Sequence, residues 1–129
     1  MRMGEIRVQE SRNLTEKERM LLEALFAHGT PASKAYADQL PLVVAISRCS
    51  CGCPTIDLGV GNRAASLGSP TVILAEGGGV SPEGISFGII LHGREGLISE
   101  LEFYAIDGKG EFSIPDLDQI QFFTGDTSP

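Results

Sequence analysis

The stretch TPASKAYADQLPLVVAISRCS, residues 30–50, changes its period halfway along. Its first half reads as a helix. Thr30 is the cap, Pro31 takes the first helical position, and Ala32, Ala35, Tyr36 and Gln39 mark the turns. Leu40-Pro41 ends it, because a residue before proline leaves the α region. The second half, LVVAISRCS, is rich in β-branched residues and reads as a strand. This boundary decides the fold: helical patterning precedes it and strand patterning follows.

Upstream, NLTEKERMLLEALFAHG holds the clearest element. Thr15 and Glu18 form a T-x-x-E capping box, and Leu21, Leu22, Leu25 and Phe26 give an apolar stripe. Gly29 supplies a left-handed stop. EIRVQ, before it, reads as a short edge strand. Downstream, Ile56, Leu58 and Val60 alternate, as do Ile85, Phe87, Ile89 and Leu91. TVILAE is a further strand, GGGVSPEG a flexible connection, and GREG a four-residue hairpin loop. The last strand puts Leu97, Leu101, Phe103 and Ala105 on one face and Glu100, Glu102 and Tyr104 on the other, solvated one. A short helix or turn is expected at residues 115–119, and a frayed C-terminal tail beyond.

The expectation is one α+β domain over residues 1–129. Two N-terminal helices, about 15–28 and 31–39, pack on an antiparallel meander of about five strands. The strands run at about 42–50, 54–60, 71–76, 85–92 and 96–106. With 129 residues, 42% hydrophobic and no Trp, the core is aliphatic and large enough to stand without disulfides or metal. The net charge of −7 argues against nucleic acid and anionic lipid as partners and is compatible with a basic one. No apolar run is long enough to span a membrane, and MRMGEIRVQE has no signal-peptide h-region, so a cytoplasmic location is expected.

Cys49, Cys51 and Cys53 sit at alternate positions in SRCSCGCPTID. On a straight strand their sulfurs would be about 6.5–7 Å apart, too far for one zinc ion. Chelation needs a curl at residues 50–52, which Gly52 allows. A fourth zinc ligand would be His28, His92 or a carboxylate, and three thiolates alone suit Cu(I). A redox role needs a thiol beside a cation, and Arg48 points to the opposite face. The structural reading has the cysteines packing as small hydrophobes.

Gly59, Gly61 and Ala64, with Glu76 beyond, mimic a dinucleotide fingerprint, but the segment is too short for a crossover helix. The glycine loop at residues 77–79 lacks the lysine of a P-loop. His28 reads as a helix cap. His92, with Glu95 and Glu100, forms an acid–base pair only if the fold brings them together. No residue is assigned a catalytic role.

The LT-x-x-E helix start at residues 14–18, Cys-x-Cys-Gly-Cys-Pro at 49–54, Asp57-Leu58 and the Gly96–Glu102 strand carry a resemblance. The chain resembles a group of small uncharacterised bacterial proteins, largely actinobacterial, over about residues 14–120. The resemblance implies no activity; it adds weight to the cysteine stretch. The leading functional expectation is a non-enzymatic module that binds a protein or small ligand, with no cofactor, as a possible homodimer through a sheet edge or face. The alternative is a thiolate zinc or Cu(I) protein using Cys49, Cys51 and Cys53. A thiol-dependent redox enzyme is the weaker alternative.

Overall fold

The computed structural model describes residues 7–50, 53–66, 68–107 and 112–123. They form a seven-stranded, wholly antiparallel sheet: β1 (Arg7–Asn13), β2 (Val43–Cys49), β3 (Ile56–Val60), β4 (Val72–Val80), β5 (Ser86–Arg94), β6 (Leu97–Ala105) and β7 (Ile120–Phe123). The order across the sheet is β1-β2-β3-β6-β5-β4-β7. Two helices on a five-stranded meander is therefore corrected. Among the described residues there is one α-helix, α1 (Glu16–Ala27), and β3 pairs with β6 rather than with β4. Among the described residues no helix is long and apolar enough to cross a membrane.

Helix α1 forms as its sequence dictates. Thr15 Oγ1 accepts from the Glu18 amide at 3.1 Å, and Glu18 Oε1 accepts from the Thr15 amide at 2.8 Å, closing the capping box. His28 is the C-cap, and its ring stacks on Phe122 at 5.0 Å. The left-handed stop expected at Gly29 is absent; among the described residues the left-handed glycines are Gly61, Gly84 and Gly96.

The second helix is replaced by two 3-10 segments, Pro31–Ala35 and Ala37–Leu42. Successive i→i+3 bonds run from the amides of Ser33, Tyr36 and Gln39 to the carbonyls of Thr30, Ser33 and Tyr36. The reason is tertiary. The Thr30 amide donates to Leu74 O at 2.9 Å, which ties the start of the segment to β4. Pro41 lies inside the second segment, and neither segment carries an apolar stripe that an α-helix could bury.

One face of the sheet packs under α1. Leu21, Leu22 and Leu25 join Leu58, Phe87, Ile89, Leu91, Leu101 and Phe103 in the core. Phe112 closes the other end, with ring centroids 5.5 Å from Phe87 and 6.3 Å from Phe103. Burying each of these large side chains contributes about 1.5–3 kcal/mol.

The glycine run is not a flexible connection. Gly77, Gly78 and Gly79 lie inside β4, where they pair with β7 and β5. A Cβ on Gly79 would collide with the Gln119 carbonyl oxygen, so glycine lets β7 approach. The tail expected to fray supplies β7, and residues 124–129 lie outside the described residues. The GREG loop is a two-residue turn, with Glu95 and Gly96 both at positive φ (54° and 77°). Arg94 therefore belongs to β5 rather than to a loop.

Candidate functional site

The sheet face turned away from α1 is built from alternate residues of the same strands. Cross-strand pairing sets His92 opposite Glu100, Glu100 opposite Asp57, and Asp57 opposite Ser47. Four adjacent strands thus place four polar side chains in one row, with neighbouring Cβ atoms roughly 4.5–5.5 Å apart. Two bulges create the row. Pairing of β2 with β3 skips Ile46, which brings Ser47 round beside Asp57. Pairing of β5 with β6 skips Ser99, which sets Glu100 beside His92. Thr55 anchors the register: its hydroxyl donates to Phe103 O at 3.0 Å and accepts from the Phe103 amide at 2.8 Å.

The row is not a solvated stripe. Glu100 is 5% exposed and Asp57 6%. The Ser47 hydroxyl donates to Asp57 Oδ2. His92 Nε2 lies 2.8 Å from Glu102 Oε1, with the two side chains 12% and 17% exposed. His92 Nδ1 is buried without a hydrogen-bond partner. Arg94 reaches towards Glu100, but Nη2 and Oε1 are 3.9 Å apart, beyond hydrogen-bond range. One ligand atom each from His92, Glu100 and Glu102 lie within 4.8 Å of one another. One imidazole and two carboxylates at this spacing can hold a cation.

Further along the same face the surface turns apolar. Gly78 pairs with Gly88, and the Tyr104 ring lies over Gly88 where a side chain would otherwise sit. Ile90 and the exposed Phe123 flank this strip. On the α1 side, a shallow groove is lined by Lys17, Met20, Pro115, Asp116, Leu117 and Asp118 and bridged by the 2.9 Å Lys17–Asp116 pair.

The residues singled out in the sequence scatter. Cys49 is buried and its amide donates to Thr55 O at 3.2 Å. Cys53 is half-buried, with its thiol 3.4 Å from Thr55 Oγ1. Cys51 lies outside the described residues. His28 is at the end of α1, stacked on Phe122. His92 meets Glu100 and Glu102. Glu95 does not join them: it accepts from the Ser69 hydroxyl at 2.6 Å and the Ser66 amide at 2.9 Å, which lowers its pKa. Glu102 and Asp57 were not legible as site residues. Glu102 shares a strand face with Glu100, which is a usable signal; Asp57 arrives only through the β3–β6 register.

A scan against protein-family models, a search of curated proteins and a search of solved structures each found no match to this chain.

Proposed function

We propose that the chain is a non-enzymatic binding protein that takes a small cationic ligand on the sheet face turned away from α1. The observation that supports this reading is the in-register row of His92, Glu100, Asp57 and Ser47. Asp57 and Glu100 stand directly opposite one another on neighbouring strands and both are buried, so their carboxyl oxygens and the His92 ring converge on one patch of the face. The acidic balance of the chain favours the approach of cations to this row. The Gly78–Gly88 strip beside it, with Tyr104 and Phe123, offers an apolar shelf for the rest of a small ligand.

Dimerisation through a sheet edge has less support. The edge strands are β1, which carries a bulge between Gln9 and Arg12, and β7, which is four residues long. Both features blunt edge pairing.

The reading is tested by following backbone amide shifts on titration with three probes: a divalent metal ion, spermidine and free arginine. At least one probe is expected to move the amides of residues 90–92 and 100–104. Silence of that face to all three, or shifts confined to the groove at Lys17 and residues 115–118, would overturn it.

A further inference from the structure

Resting on that reading, we infer that the ligand is a divalent transition-metal ion held by His92, Glu100 and Glu102. The donors come from two neighbouring strands. Glu100 and Glu102 share one face of β6, and His92 stands directly opposite Glu100 on β5. Metal bonds to imidazole nitrogen and carboxylate oxygen run at about 2.0–2.2 Å, so two adjacent ligand atoms end roughly 3 Å apart. The 2.8 Å separation of His92 Nε2 and Glu102 Oε1 already matches that edge. A cation takes the place of the proton between them, and in the neutral ring that proton passes through solvent to Nδ1, so His92 ligates as neutral imidazole. A small closure from within 4.8 Å brings Glu100 into the same sphere.

Most buried ring nitrogens have a hydrogen-bond partner. In His92 one is bonded to Glu102 and the other is buried and unpartnered. With no partner at Nδ1, no hydrogen bond fixes the tautomer from that side, and Nε2 is the nitrogen placed to meet an ion beside Glu102. The donor set is one nitrogen and two oxygens. That mixture suits Zn²⁺, Mn²⁺, Fe²⁺ or Co²⁺ rather than Cu(I), which prefers sulfur, or Ca²⁺, which takes oxygen alone. Three protein ligands leave further coordination positions for water or for a ligand lying on the Tyr104 shelf. Arg94 opposes the ion. Its guanidinium stands 3.9 Å from Glu100, so it competes for that carboxylate and weakens the site.

The test is Co²⁺ titration of the full chain, with its cysteines intact, followed by visible absorption and by calorimetry. One ion per chain is expected, with d–d bands and without a sulfur-to-cobalt charge-transfer band. His92→Ala should weaken binding by at least about 100-fold, beyond the 10–100-fold of an outer-shell loss. His92→Gln, closer in size and polarity, guards against a folding defect and should weaken it comparably. Arg94→Met should tighten binding, and replacing all three cysteines by serine should leave it unchanged. A sulfur charge-transfer band lost in the cysteine variant assigns the metal to Cys49, Cys51 and Cys53 and overturns the inference. Absence of binding at millimolar Co²⁺ also overturns it. If spermidine or arginine still shifts the face in that case, the broader cation-binding reading stands without the metal.

Discussion

The two faces of the sheet use the same strands for opposite purposes. Under α1, Phe87, Ile89, Leu91, Leu101 and Phe103 interlock as apolar side chains with no polar partner to find. On the other face the intervening residues His92, Glu100 and Glu102 meet as charged and polar groups. The first arrangement stabilises by burial; the second adds little stability and some cost. A second comparison runs between two polar pairs. Arg12 holds Glu18 with two charge-assisted bonds, Nη1 to Oε1 at 2.8 Å and Nη2 to Oε2 at 2.9 Å. His92 holds Glu102 with one bond and leaves a nitrogen unpartnered. The Arg12 pair locks β1 to the start of α1; in the His92 pair the atom without a partner is Nδ1.

The largest expected effect breaks the apolar face. Phe103→Ala removes a ring packed on Phe87 and Phe112 and should cost about 3–5 kcal/mol in urea unfolding. A loss below about 1 kcal/mol would mean that this face is not the main source of stability.

Next comes the structural pair. Arg12→Met leaves the Glu18 carboxylate without its guanidinium and should cost about 1.5–3 kcal/mol near neutral pH. Burial alone would raise the pKa of Glu18. The Arg12 hydrogen bond, the Thr15 amide and the Arg12 charge outweigh burial and hold it below its ordinary value of 4.5. A carboxyl depressed in the folded state binds fewer protons there than when unfolded. Its contribution is therefore complete above the unfolded pKa and is lost as pH falls through the folded one. The parent's stability should drop with acid across that window, and Arg12→Met should drop less steeply. Parallel slopes for the two proteins would show that Arg12 does not set the Glu18 proton affinity.

The smallest effect is expected on the polar face. The double variant His92→Gln, Glu102→Gln replaces both partners of the buried bond together and should change the unfolding free energy by less than about 1 kcal/mol while altering cation binding. A loss of several kcal/mol with binding unchanged would turn the row into a structural network and erase the contrast between the faces.

Local elements were legible where a short pattern suffices. The Thr15–Glu18 capping box and the leucine stripe specify α1 within one stretch of chain. Alternation specifies β2, β3, β5 and β6 to within a few residues. The glycine run misled because its side chains carry no pattern, and its partner β7 lies more than 40 residues further on. The segment at residues 31–42 misled because an alanine-rich stretch with a proline cap reads equally as α or 3-10 until its contacts with β4 are known. At the site, His92 and Glu100 were legible as residue types, but Glu95 was the wrong companion. Strand β5 runs two residues further than its apolar pattern, so the chain turns at Glu95 and carries that side chain to the Ser66 and Ser69 loop.

The sequence by itself determined α1, the existence of β2, β3, β5 and β6, and the shared face of Glu100, Glu102 and Tyr104; Leu97, expected on the face of Leu101, lies on the opposite one beyond the bulge. These follow from bonds between near neighbours and from the geometry of the backbone. Only the tertiary structure decided the strand order and the bulges that skip Ile46 and Ser99. Register depends on hydrogen bonds between distant segments, such as those of Thr55 to Phe103, and one skipped residue moves a side chain to the opposite face. The row from His92 to Ser47 exists because those distant bonds align four strands.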